Sequence, residues 1–254
     1  MNYDLQRADM WKRISAWIFD RILVFILAVG FAFLLSFAFD FNSHIETYEA
    51  RQAHFSETYG ITLGLDEEEY AKLSEDAKAV YDKATDAFNK DGEASYAVYM
   101  MFNYSLIIVT FSILLAYLAL EYAVPLLFKN GQTLGKKIFG IAVMRMDGVK
   151  VSPLVMFIRT VLGKYTVETM IPVLILIGVG FGVVGIVGIC VAIIIILSNF
   201  IAVIVTKTHS PIHDVLSSTV TVDMATQLIF DTPEALLEHK KKLHEEMVEN
   251  SEYK

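Results

Sequence analysis

Residues 171–205 run for 35 positions without one charged side chain. A hydrocarbon core about 30 Å thick is crossed by about 20 apolar residues of helix, and at 1.5 Å per residue this run would reach about 52 Å as one helix. That overshoots a single crossing. Its middle, GVGFGVVGIVG from Gly178 to Gly188, holds five glycines, which weaken a continuous helix and allow close packing or a turn at membrane depth. The pattern predicts two short spans, about 165–181 and 185–206, with a single crossing as the alternative. Two more runs suffice for crossing: 14–39, interrupted only by Asp20 and Arg21, and 99–128, which contains Glu121 and Pro125. The length and internal charges of the first run, which has no small-residue cleavage site, predict a retained anchor rather than a cleaved signal peptide. With 55% hydrophobic residues, the chain reads as an all-α polytopic membrane protein of about four transmembrane helices.

The loops set an orientation. Residues 40–93 carry 14 acids against 5 bases, whereas 129–164 carry Lys129, Lys136, Lys137, Arg145, Lys150, Arg159 and Lys164 against Asp147 alone. Basic loops stay in the cytoplasm, so the amino terminus and the segment from Lys129 are predicted inside and the acidic insert (40–98) outside. The carboxyl terminus is placed inside as well. Within the insert, Tyr70, Leu73, Ala77, Val80, Ala84 and Phe88 recur at helical spacing, with Asp66 and Glu69 as a capping pair and Asp91-Gly92 as the stop. That reads as a solvated amphipathic helix; the acidic run Asp66 to Glu69 admits a cation-attracting vestibule as an alternative.

Residues 129–168 predict a cytoplasmic β-hairpin followed by an interfacial amphipathic helix. Ile138 to Met144 favours a strand, Asp147-Gly148 a tight turn, and Val149 to Val151 the return, while Ser218 to Asp223 alternates like a further strand. If these strands pair, both lie on one side of the membrane. Leu154, Ile158, Val161, Leu162 and Tyr165 form the apolar stripe of the helix over 154–167. The glycine-rich stretch from Gly131 lacks P-loop spacing. The tail from Pro233 alternates Glu and Lys as a surface helix would, so residues 207–254 read as a strand and a charged tail.

Several function classes are excluded. Cys190 is the sole cysteine, so there is no intramolecular disulfide and no four-cysteine metal site. The six histidines are scattered, no metal-ligand spacing or nucleophile–base–acid set stands out, and no cofactor or enzymatic activity is expected. A net charge of -8 argues against nucleic acid as a partner.

The chemistry concentrates on charges inside apolar runs. An ionised carboxylate near mid-helix costs several kcal/mol unless it is paired, hydrated or neutralised, so Asp20 must face protein or a cavity. Arg13 is two turns away and Arg21 points about 100° round the helix, so the partner of Asp20 must come from elsewhere in the chain. Arg159, His213 and Asp214 are the candidates, predicted to converge with Arg13 and Asp20 in one polar cluster at the inner mouth of the bundle. Glu121 and Arg21 are secondary candidates, since Pro125 frees a backbone carbonyl beside Glu121.

Arg13 and Asp20, the GQTLGKKIFGIAV stretch with its Asp147-Gly148 turn, Arg159 in FIRT, and Pro211-Ile212-His213-Asp214 followed by Thr219-Val220 together resemble the RDD family of bacterial membrane proteins. The arginine and two aspartates that name the family map onto Arg13, Asp20 and Asp214. Leu216-Ser217-Ser218 replaces a glycine-containing run common in the family, and the acidic insert is not a family feature. The resemblance implies the bacterial cell membrane and a transport role, with cation/proton exchange in some members. Two readings follow: a secondary transporter moving inorganic cations and protons, expected as a homo-oligomer because four spans seldom enclose a pathway, or a scaffold in the lipid bilayer that binds other proteins through insert and tail. Buried charges would couple ions in the first and only fix helix register in the second.

Overall fold

The computed structural model describes residues 5–180 and 182–252. In chain order its elements are α1 (Met10–Ala38), α2 (Phe41–Tyr59), α3 (Glu67–Ala71), α4 (Glu75–Asn89), α5 (Gly92–Tyr117), a π-helical stretch (Leu118–Ala123), α6 (Val124–Phe128), α7 (Leu134–Ile138) and β1 (Ile141–Arg145). There follow α8 (Pro153–Phe157), a second π-helical stretch (Ile158–Met170), α9 (Ile171–Gly180), α10 (Ile186–Val205), α11 (Ile212–Leu216), β2 (Thr219–Asp223) and α12 (Pro233–Glu252). Among the described residues, four helices are long and apolar enough to cross a membrane: Met10–Ala38, Gly92–Phe128, Pro153–Gly180 and Ile186–Val205. The chain is a multi-pass membrane protein, all-α apart from one two-stranded sheet.

The third span differs from expectation in where it starts. The amphipathic stretch over 154–167 runs without a break into the apolar residues after it, so that helix begins at Pro153 rather than near Tyr165. Its polar residues explain the difference. Arg159, Thr160 and Lys164 are buried against other helices, while Leu154, Phe157 and Leu162 are exposed, so the polar side chains of this segment are kept from lipid and its apolar ones face outward.

The chain divides into two compact units, the second being Ala32–Phe111 and the first everything before and after it. In the first unit, the buried residues of α1 are Ala16, Asp20, Val24 and Ala28, each four positions on from the last. Side chains four apart lie one above another, so Asp20 belongs to the packed stripe while Ile22, Phe25 and Ile26 stay exposed for lipid. Val24 and Ala28 pack with Ala116, Tyr117, Tyr165 and Met170 in the main core. At one end, β1 pairs antiparallel with β2 from Ile141↔Asp223 to Arg145↔Thr219. The expected hairpin return contributes isolated bridges, Met144↔Lys150 to β1 and Val149↔Phe230 beyond it, and Arg7↔Val222 adds the amino-terminal segment at the opposite edge. These hydrogen bonds place the amino-terminal segment, β1 and β2 at the same end of the bundle.

In the second unit, the predicted long helix from Leu65 is broken in two. Asp66 caps α3 in a capping box with Glu69, and the Ser74 side chain, accepting from the Ala77 N–H, starts α4 afresh. Asp91 then restarts the chain as α5 by accepting the Ala94 N–H at 2.8 Å. Leu63, Ala84, Phe88 and Ala94 form the core, with Tyr48 and Phe55 packed on Phe88.

Candidate functional site

Asp20 is met by the stretch after Lys129. Asn130 and Gln132 shape the approach: the Gln132 amide donates to the Ile141 carbonyl at 2.9 Å and accepts from Asn130 at 2.6 Å. Thr133 then caps α7, and the same hydroxyl donates to Asp20 Oδ2, while the Gly135 N–H donates to Oδ1 at 2.8 Å. Lys136 Nζ lies 3.7 Å from the carboxylate, and all of these groups are buried. Gly135 is required by the approach itself, since a Cβ there would come within 2.5 Å of the Ala16 carbonyl and 2.9 Å of Asp20 Oδ1. Thr133, Gly135 and Lys136 are therefore a cradle for a carboxylate inside a span.

Two prolines shape the next pair. Proline lacks an N–H, and its ring collides with the carbonyl four residues earlier; a widened turn moves that carbonyl away. Pro125 and Pro172 each follow a π-helical stretch, in which Val124 N–H reaches Ala119 and Ile171 N–H reaches Thr166, five residues back. The carbonyl that Pro125 leaves without its helical donor belongs to Glu121, and the Thr160 hydroxyl donates to it at 2.9 Å. Thr166 and Thr169 likewise occupy the loosened carbonyls of Val161 and Lys164, each at 2.8 Å. On these two wide stretches sit Glu121 and Lys164, whose charged ends meet at 2.5 Å with side chains only 2% and 3% exposed.

A third group closes the sheet end. Arg159 Nε donates to Asp214 Oδ1 at 2.8 Å, and the Thr219 hydroxyl donates to the same oxygen at 2.9 Å. His213 Nδ1 lies 2.8 Å from Glu168, which also accepts the His213 backbone N–H at 3.0 Å and lies 4.0 Å from Arg21. Arg21 in turn stacks on Trp17 and Tyr117. α11 can come this close because position 163 is glycine: a Cβ there would lie 2.6 Å from His213 Cβ. Burial works to raise the Asp214 carboxyl, but Arg159, His213 and Thr219 override it and hold Asp214 well below the usual carboxylate range. Burial pushes the His213 imidazole down, against the pull of Asp214 and Glu168.

Of the residues singled out from sequence, Arg159 and His213 both meet Asp214, at 2.8 and 3.8 Å. Asp20 sits instead on Thr133, Gly135 and Lys136. Arg13 bonds carbonyls, those of Thr208 at 3.4 Å and His209 at 2.6 Å. Arg21 and Glu121, the secondary candidates, hold central positions through Glu168 and Lys164. Thr133, Lys136, Lys164 and Glu168 become partners of these charges only in the folded chain. A signal existed for Glu168, a carboxylate within a stretch read as a span and four residues after Lys164. None existed for Thr133, which only the chain's return to α1 makes a ligand of Asp20.

Fold and site together define a polytopic membrane protein organised around ion pairs inside its spans. The chain matches the family model described as RDD family over residues 7–218, and it belongs to that family. No curated protein and no solved structure matches it. The matched region contains Arg13, Asp20 and Asp214 with all the partners named above except Thr219.

Proposed function

We propose that this chain is a secondary transporter exchanging an inorganic cation for protons across the cell membrane, as a homo-oligomer with the sheet end in the cytoplasm. The observation that carries the proposal is the concentration of acid–base pairs on spans whose helices are widened. Asp20, Glu121 and Glu168 lie within helices able to cross the membrane, and Glu121 and Glu168 either occupy or contact π-helical stretches. Ionisable groups at that depth are costly, and irregular helix in a span is the usual framework for ion sites. Asp20 suits the exchange: two of its partners are neutral donors, and the third, Lys136, also reaches the Thr133 hydroxyl at 3.3 Å, so the ammonium can leave the carboxylate to a proton or cation without losing every partner.

A scaffold whose charges only fix helix register is the second reading, favoured by the fact that each of Asp20, Glu121, Glu168 and Asp214 has a basic group within 4.0 Å. Asp20→Asn separates the two. Purified protein in proteoliposomes with dye-monitored proton and sodium movement is expected to show flux for the wild type, and loss of flux with normal assembly for the variant. Assembled wild-type protein that moves neither ion, or a variant whose flux is unchanged, overturns the exchange mechanism.

A further inference from the structure

The segment before α1 and the first turn of that helix form a concavity lined by Gln6, Arg7, Met10, Arg13 and His209, among others. Its lining holds two guanidinium groups and an imidazole and, among the described residues, no carboxylate. Among the described residues, the nearby acids are engaged elsewhere. Asp9 accepts the Trp11 and Lys12 backbone N–H groups, Lys12 and Asp223 pair at 2.6 Å, and Asp214 bonds Arg159. Arg159, Lys164 and Lys136 each pair with a carboxylate, whereas Arg7 and Arg13 donate to backbone carbonyls, Asp214 being an acid whose field reaches Arg13.

Those carbonyls do something specific. Arg7 Nη1 donates to the Lys207 carbonyl at 2.6 Å, and Arg13 Nη2 donates to that of His209 at 2.6 Å. Each guanidinium has five N–H donors, so these bonds fix the two planes and leave further donors on each fork. Two arginines oriented in advance, each hydrogen-bonded to backbone carbonyls rather than to a carboxylate, make a receptor for a phosphate, whose oxygens match the guanidinium fork in pairs.

The surroundings specify where that phosphate comes from. Both of the chain's tryptophans lie on the first turns of α1, Trp11 being 76% and Trp17 52% exposed, and Met10 and Leu5 are exposed beside them. Tryptophans with exposed apolar neighbours at the end of a spanning helix mark the headgroup level of a bilayer. An arginine concavity there faces headgroups, and a ligand with acyl chains would cover the apolar residues that a free anion would leave bare.

We infer that this concavity is a binding site for the phosphate of an anionic phospholipid, with Arg7 and Arg13 as its ligands. The proposal does not depend on transport. The full chain, reconstituted with phosphatidylglycerol diluted in phosphatidylcholine and then released into detergent, is examined by native mass spectrometry for the lipid it retains. Wild type is expected to keep phosphatidylglycerol in preference to phosphatidylcholine. Arg7→Gln is expected to weaken that retention about tenfold, the effect of losing one charge-assisted contact. Arg7 is exposed, so this variant tests the site without threatening the fold; Arg7→Gln with Arg13→Gln should remove the preference, and Lys241→Gln, equal in charge change on an exposed helix, should behave as wild type. Equal retention by wild type and Arg7→Gln, or no preference for the anionic lipid, overturns the proposal. Displacement of phosphatidylglycerol by an equal concentration of inorganic phosphate overturns the lipid assignment and leaves a soluble phosphate as ligand.

Discussion

Two ion pairs in this protein have the same closest distance and opposite surroundings. Arg51 and Asp91 meet at 2.5 Å in the insert, with side chains 28% and 12% exposed, and Lys164 and Glu121 meet at 2.5 Å between spans, at 3% and 2%. Distance therefore says little about what each pair does. In the insert, water already solvates both charges, and the bidentate fork of Arg51 mainly orients Asp91 as it caps α5. Between the spans each charge is tolerable only because the other is there.

The sharpest way to break the comparison is to remove one partner. Lys164→Met leaves Glu121 buried without its paired ammonium and is expected to cost about 3–5 kcal/mol, as is Glu121→Leu for the opposite reason. The double variant, apolar on both sides, is expected to regain most of the loss in a denaturant titration in detergent. Additive losses would mean that the two groups do not depend on each other.

A smaller effect contrasts close packing with open space. Gly163→Ala places a methyl 2.6 Å from His213 Cβ and is expected to cost about 1–3 kcal/mol. Gly92→Ala, with nothing within 4 Å, is expected to leave the melting temperature unchanged or raised.

Acid should separate the two regions as well. Burial pushes the His213 imidazole below its ordinary value of 6.5, so the unfolded chain binds a proton first as pH falls. Stability should decline from that value downward until the folded imidazole itself titrates, and His213→Gln should abolish this step. Asp91 behaves differently: hydrogen bonds from Arg51 and from the Ala94 N–H hold it below its ordinary 3.8, so its contribution is complete above that value and is lost only as pH falls further. A melting curve unchanged between neutral pH and the onset of carboxylate titration would contradict the assignment for His213. The smallest effect is expected for Arg51→Lys, which keeps the charge and loses the fork; hydrogen exchange at the first turn of α5 should rise slightly while the spans stay protected.

Much of the architecture could be read in advance. Apolar length predicted the spans, the five glycines predicted the turn near Gly182, and Asp66 with Glu69 predicted a helix start, because each signal is carried by neighbouring residues. The break at Ser74 was harder to see: the apolar spacing continues through it, and only the Ser74 cap distinguishes two helices from one. The start of the third span was hidden for a related reason. Arg159, Thr160 and Lys164 have the composition of an interface, and their burial follows from Asp214 and Glu121, residues far away in the chain.

The site divides along the same line. Sequence alone determined that the chain crosses the membrane, that Asp20 and Glu121 could not be left facing lipid, and that it carries the residues of the RDD family, because hydrophobicity and charge are properties of each side chain wherever it ends up. Tertiary structure decided which partner each charge received: Thr133, Gly135 and Lys136 for Asp20, Lys164 for Glu121, Arg159 for Asp214. Neutralising a buried charge takes a group within a few ångströms, and which groups come that near is set by where the chain folds back on itself.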